Sequence, residues 1–252
     1  MISKAEIKKI KSLHTKKGRE LYNLILIEGK RLINQVVNSQ FSIDKVWMTE
    51  DFQNKNSDMK EALHNINVNI ISHNDIKKIS STKNSSGILG VIKIPINDIR
   101  KMKDKIIILD SISDPGNLGA ILRTANWFGI SNIVLSEGCV DQYNTKVIRS
   151  AMGSHFSMNI VKTDILKFIK NLKSNNFQII AAELDTKNSI CSLEIVSDRW
   201  ALLMGSEAHG LSESVCGLID SKIKIPQFGE IESLNVSVAC GIFLYHMIEL
   251  NN

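Results

Sequence analysis

The stretch from Ile106 to Leu135, IIILDSISDPGNLGAILRTANWFGISNIVL, decides how this chain is read. Ile106–Leu109 is a short apolar run, rich in β-branched side chains, of the kind a buried strand requires. A turn containing Pro115, Gly116 and Gly119 follows, and the apolar spacing from Leu118 to Phe128 predicts a helix. Asn132–Leu135 predicts a second strand. Strand, helix and strand in that order make one β-α-β unit, the building block of a parallel sheet.

Moving toward the C-terminus, the alternation continues. Strands are predicted at Ser157–Val161, Gln178–Ala182, Trp200–Met204 and Lys222–Ile225, with helices at Ile165–Lys173 and Ser212–Leu218. Near-continuous apolar strands of this kind are buried on both faces. The last helix, Asn235–Leu250, is apolar over much more than one face, so it should be buried on most sides, under its own sheet or against a second chain. Moving toward the N-terminus, Ser3 and Glu6 form a capping box for a helix to about Leu13. Strands at Leu24–Ile27, Val46–Thr49, Val68–Ile71 and Ile88–Ile94 alternate with helices at Lys30–Val37, Met59–His64 and Asn74–Ile79. The chain thus reads as α/β throughout: a smaller N-terminal domain over 1–97, a polar linker at Asn97–Lys105, and a parallel-sheet domain over 105–252.

A chain of 252 residues with 43% hydrophobic and 23% charged content fits a soluble globular protein. Its longest apolar runs, such as Val236–Met247, are too short for a membrane span, so no membrane partner is expected. The N-terminus lacks the apolar core of a signal peptide, which points to the cytoplasm. Cys139, Cys191, Cys216 and Cys240 have no Cys-x-x-Cys spacing, and neither a disulfide nor a metal site is expected. Charge is uneven: residues 1–104 carry a net +8 and residues 105–252 a net −3. Lys8, Lys9, Lys16, Lys17 and Arg19 crowd the N-terminus, as a solvated helix face or as a handle on a polyanion.

Three stretches carry chemistry. The turn after Ile106–Leu109 is a strand-end loop, where α/β folds place ligands. Asp114 or Asn117 could simply cap the helix, and neither Gly-x-Gly-x-x-Gly nor the phosphate-loop pattern is present. Arg123, six positions after Asn117, suits a surface ion pair or a guanidinium aimed at a phosphate or a developing oxyanion. Met204–Leu211 follows a strand and offers Gly205 and Gly210 for close backbone approach, with Glu207 as a carboxylate at the strand's end. His209 reads more readily as a loop histidine than as an acid/base group. In Pro226–Gly241, Ser233 and Asn235 sit where a helix begins, which alone suggests capping.

Together, in this order and spacing, the three stretches resemble the signature motifs of SpoU-type RNA ribose 2′-O-methyltransferases, in the SPOUT superfamily. Asn117 and Arg123 carry the first motif, Gly205, Glu207 and Gly210 the second, and Ile225, Pro226, Ser233, Leu234 and Asn235 the third. Ile27-Glu-Gly-Lys-Arg-Leu32 and Ser85-Ser-Gly-Ile-Leu-Gly90 look like that family's N-terminal substrate-binding domain. Ala208 stands where the family often has Gly, and Ser206 where Asn is common. The resemblance implies a parallel sheet with a deep trefoil knot, bound S-adenosylmethionine, and a homodimer formed through the C-terminal domain. It implies catalytic roles for Asn117, Arg123, Glu207, Ser233 and Asn235, and an adenosyl pocket from Gly205, Gly210, Ile225 and Leu234. The implied substrate is RNA, 23S ribosomal RNA ahead of tRNA, with no DNA expected. Lys8, Lys9, Lys16, Lys17, Arg19, Lys30 and Arg31 are then the candidate RNA contacts. A catalytically silent RNA-binding or ribosome-assembly protein of the same fold is the rival reading.

Overall fold

A computed structural model of the chain describes residues 2–206 and 209–250. They divide into two units. One comprises the residues up to Ile96 together with Tyr143–Phe156; the other comprises Asn97–Gln142 and the residues from Ser157 onward.

The first unit runs α1 (Lys4–Ser12), α2 (Lys16–Tyr22), β1 (Leu24–Glu28), α3 (Lys30–Val37), β2 (Ile43–Met48), α4 (Glu50–Lys55), α5 (Ser57–Ala62), β3 (Val68–Ile70), α6 (His73–Ile79) and β4 (Ile88–Lys93). Its strands lie in the order β1-β4-β2-β3, with β4 antiparallel to both neighbours and β2 parallel to β3. The unbroken apolar run of β1 follows from burial on both faces. Ile25 and Ile27 join the cluster of Ile33, Val36 and Ile88, while Leu24 and Leu26 join Ile10, Leu13 and Trp47. Ser3 caps α1 as its sequence predicts, its hydroxyl accepting from the Glu6 N–H at 3.1 Å. Helices α2 and α4 lie outside the sequence expectations because both are short and polar. Helix α2 exists through packing: Thr15 caps it, and Gly18 lies so close to α1 that a Cβ there would come 2.0 Å from the Ser12 carbonyl oxygen.

The second unit begins with β5 (Lys105–Leu109), α7 (Pro115–Trp127) and β6 (Asn132–Leu135). Helix α8 (Thr145–Ser150) then packs with the first unit, a detour the sequence does not announce. The chain resumes with β7 (Asn159–Lys162), α9 (Ile165–Ser174), β8 (Gln178–Ala182), β9 (Trp200–Met204), α10 (Glu213–Cys216), β10 (Ser221–Ile223) and α11 (Val236–Glu249). All six strands are parallel, in the order β10-β8-β9-β5-β6-β7. The winding runs outward from β5 to β7, returns at β8, and inserts β9 beside β5. The carboxyl ends of β5 and β9 therefore lie side by side where the strand order reverses, the crevice in which open α/β sheets bind ligands.

Helix α11 divides between the two kinds of cover that its sequence left open. Val236, Cys240, Phe243, Leu244 and Met247 are buried, but Val238, Ile242 and Tyr245 face solvent at 52%, 38% and 60% exposure. The all-round apolar sequence therefore covers a core-facing side and an open side. Among the described residues, no helix is long and apolar enough to cross a membrane.

Candidate active site

The candidate site draws on three loops, two at the reversal point and a third that runs from the edge strand β10 to α11. In the first, after β5, Asp114 starts α7 by accepting the Asn117 N–H at 2.9 Å, with Pro115 in the first turn. Asn117 is thereby fixed at the helix entrance, half-buried. Arg123 projects from the same helix, exposed, and makes no hydrogen bond or ion pair among the described residues.

The second loop follows β9. Ser206 and Gly210 exchange backbone hydrogen bonds, the Ser206 N–H donating at 3.1 Å and the Gly210 N–H at 2.9 Å. Gly210 needs its achirality, with φ at +64°, and a Cβ on Gly205 would fall 2.2 Å from the Gly210 carbonyl carbon. His209 is exposed, and its backbone N–H is held by the Ser206 hydroxyl at 3.2 Å, as a turn residue's would be. Glu207 lies outside the described residues.

The third loop runs from β10 to α11. Ile225 is half-buried beside the sheet edge, whereas Ser233 and Leu234 lie in an exposed segment. Asn235 caps α11, its Oδ1 accepting from the Ser237 N–H at 3.0 Å and the Ser237 hydroxyl at 2.6 Å. Its Nδ2 donates to Asn117 Oδ1 at 2.8 Å, across 118 positions of sequence. The structure thus joins Asn117 to Asn235 and closes Gly205 onto Gly210. Arg123 and Ser233 make no hydrogen bond to this set among the described residues.

Asp110 and Ser111 have no assigned role in the sequence reading. Asp110 directly follows β5 at 4% exposure, and its carboxylate accepts the Ser212 N–H at 2.9 Å and the Ser111 hydroxyl at 3.1 Å. A carboxylate directly after an apolar strand is a signal the sequence does offer, but its partner lies 102 positions away. Cys139, in the loop after β6, has its thiol pushed above its ordinary value by burial.

In the first unit, Lys8, Lys16, Lys17 and Arg31 are exposed. Lys9 sits over the Tyr22 ring at 5.1 Å, and Lys16 is 3.7 Å from Glu20. Lys30 bonds Asp58 at 2.8 Å and Asn56 at 3.0 Å, and that hydrogen bond holds the Asp58 carboxyl below its ordinary value. Lys30 and Arg31 also line an open groove of about 550 Å³ with Asn34, Gln35 and Asn38. Arg19 departs from its expected role. It is 3% exposed and donates to the Leu13 carbonyl at 2.8 Å, so it ties α2 to the end of α1 and is not presented to a phosphate.

Comparison with known proteins matches both parts of the chain to family models. Residues 104–245 match the family model described as the SpoU rRNA Methylase family, and residues 4–90 match the MRM3-like substrate binding domain. The 23S rRNA (guanosine(2553)-2′-O)-methyltransferase of Bacillus subtilis is 31% identical, over 96% of this chain and 95% of its own. The 23S rRNA (adenosine(1067)-2′-O)-methyltransferase of Streptomyces laurentii is 27% identical, over 94% of this chain and 90% of its own. An AdoMet-bound rRNA methyltransferase from Sinorhizobium meliloti superposes with a TM-score of 0.86 at 26% identity, over 98% of this chain and 95% of its own.

Proposed function

The chain belongs to the SpoU rRNA methylase family, and on that premise we propose that it transfers a methyl group from S-adenosylmethionine to a ribose 2′-hydroxyl of 23S ribosomal RNA. The Asn235–Asn117 hydrogen bond carries the reading, because it joins two of the three motif loops at the sheet's reversal point. Gly205 and Gly210 fit a cofactor cradle, since a side chain on Gly205 would strike the Gly210 main chain and Gly210 itself takes a left-handed φ of +64°. Gly205, Gly210, Ile225 and Leu234 would hold the adenosyl group through backbone polar groups and apolar contact. S-adenosylmethionine bound there supplies a methyl already activated on a sulfonium, which leaves alignment and charge stabilisation to the protein.

The ribose hydroxyl is a very weak acid, so charge developing on its oxygen needs a nearby cation. Arg123 supplies it, either at that oxygen or by pinning the adjacent phosphate. It does not act as a base, because a guanidinium stays protonated in proteins. Asn117 and Asn235 orient the reacting groups, and Ser233 and Glu207 are assigned to positioning the ribose. Lys8, Lys9, Lys16, Lys17, Lys30 and Arg31 hold the RNA backbone from a domain spanning residues 1–97, and residues 105–252 form the methyltransferase domain. That domain carries a trefoil knot, works in the cytoplasm, and dimerises through the open side of α11, where Val238, Ile242 and Tyr245 present apolar surface.

The test combines calorimetry with S-adenosylmethionine and ribose-methylation mapping of rRNA and tRNA from a strain lacking the protein. The expected result is measurable cofactor binding and one 23S ribose that loses its methyl. Loss at a tRNA ribose would move the substrate to tRNA. Absence of cofactor binding together with an unchanged methylation map would leave a silent RNA-binding protein.

A further inference from the structure

We propose that Asp110 is a positioning residue that fixes the two ends of the glycine loop, at Met204 and Ser212, for cofactor binding, an inference that rests on the function proposed above. The loop has two ends to fix. Met204 is held by β9, and its carbonyl accepts the Asp110 N–H at 2.8 Å. The far end is held by the Asp110 carboxylate, which accepts the Ser212 N–H at 2.9 Å. One residue at the tip of β5 therefore anchors both ends of a loop whose described residues also close on one another through Ser206 and Gly210.

The chemistry explains why a carboxylate stands here. Burying an ionised group is costly unless its oxygens find donors. Asp110 meets that demand with a backbone N–H on one oxygen and the Ser111 hydroxyl on the other. Ser111 is itself constrained: its φ is +59°, a left-handed conformation that non-glycine residues seldom adopt. Two neighbours in the loop after β6 hold it there. The Ser136 hydroxyl accepts the Ser111 N–H at 2.9 Å, and Gly138 leaves room where a Cβ would come 2.5 Å from the Ser111 hydroxyl oxygen. Three strand-end loops thus converge on Asp110–Ser111, and the loop they shape is the one assigned to the adenosyl group. Simple capping of the short helix α10 would also use the Ser212 contact, but it would leave cofactor affinity of the folded protein untouched.

Calorimetry with S-adenosylmethionine, and methyl-transfer kinetics on the full chain, separate these roles. In Asp110→Ala the Kd and KM for S-adenosylmethionine should rise at least about tenfold, as expected for loss of a hydrogen bond to a charged group. The kcat at saturating cofactor and the KM for RNA should change much less. Ser212→Pro removes the donor without disturbing a backbone whose φ is already −65°, and should reproduce the cofactor effect. Asp110→Asn should recover part of the affinity, because its amide oxygen still accepts from Ser212 while its NH2 donates to the Ser111 hydroxyl. If Asp110→Ala does not fold, Ser212→Pro and Asp110→Asn decide the matter. Wild-type affinity in folded Asp110→Ala or in Ser212→Pro would overturn this inference alone. A native chain that binds no S-adenosylmethionine would overturn the proposed function and this inference with it.

Discussion

The loop after β5 and the loop before α11 contribute residues to one proposed site, yet the fold holds them in opposite ways. The first is knit on every side, with Asp110 buried, Ser111 braced by Ser136, and Asp114 capping α7. In the second, every residue from 227 to 235 is exposed, with Phe228 at 98% and Ile231 at 66%. Its internal bonds come from one side chain, Gln227 Nε2 donating to the Gly229 and Ile231 carbonyls at 2.9 and 2.7 Å. Folding of one chain fixes the first loop, because burial there depends on its shape. The apolar groups of the second gain nothing from that folding, so its shape is left to whatever covers it, which is the cofactor and a second subunit under the function proposed here.

The largest effect should come where chemistry is separate from folding. Arg123 is exposed and bonds to no described residue, so Arg123→Ala should leave stability within about 0.5 kcal/mol. Methyl transfer should fall by about 10²–10³, the usual loss when one electrostatic stabiliser is removed. Arg123→Lys keeps the charge but not the planar fork, and should still lose about tenfold. Full activity in the lysine variant, measured by transfer of labelled methyl to RNA, would sink the geometric role.

The same kind of contrast, now between the loop after β9 and the open loop before α11, is tested by two glycines. Gly205→Ala places a methyl 2.2 Å from the Gly210 backbone, where nothing flexible can give way. It should cost about 1–3 kcal/mol in thermal or denaturant unfolding and abolish cofactor binding in calorimetry. Gly229→Ala in the open loop meets nothing within 4 Å, and its unfolding should shift by less than about 0.5 kcal/mol. Equal effects in the two variants would break the distinction between a knit loop and an open one.

A smaller effect on the isolated fold, but a visible one on assembly, is expected on the open side of α11. Ile242→Asp replaces a residue at 38% exposure, so unfolding of a single chain should change little. A buried unpaired carboxylate would oppose dimerisation, and light scattering should show monomer for the variant and, under the function proposed here, a dimer for the native chain. S-adenosylmethionine affinity should weaken, though less than in Gly205→Ala. A dimer of unchanged mass would remove α11 as the interface.

The same contrast explains what the sequence could convey. Strands β6, β8 and β9 and helix α3 follow from apolar runs and their punctuation, which are local signals, and they lie where the pattern predicts them. The α/β class was legible for the same reason, whereas the three motif loops were legible through their resemblance to a known family. What stayed hidden depends on distant partners. Helix α2 needs Gly18 against Ser12, and Arg19 is buried because Leu13 offers a carbonyl. A charge count sees only another cation in a basic tail. Asp110 likewise reads as the polar end of a strand until Ser212 arrives from far along the chain. The open side of α11 was left undecided, since an all-apolar helix looks buried whether its own chain or a second chain supplies the cover.

The inner side of α11 supplies the smallest effect. Cys240 is fully buried there, and loss of hydration pushes its thiol from an ordinary value of 9.0 up to about 12. The folded chain therefore keeps this proton at alkaline pH values where the unfolded chain releases it. Below pH 9 both states are protonated and the group adds no pH dependence; from about pH 9 to 12 stability should fall as pH rises. The limiting slope for one such group is about 1.4 kcal/mol per pH unit. Other groups titrate in the same window, so the informative quantity is the difference between native chain and Cys240→Ala in urea unfolding at pH 8 through 10.5. That difference should shrink as pH rises, because the variant lacks the thiol's penalty. Cys191→Ala, a change at an exposed thiol, should leave the native pH profile in place. Parallel profiles for all three proteins would mean that α11 opens readily enough for Cys240 to ionise in the folded state, and the inner side of the helix would then be no better held than the outer.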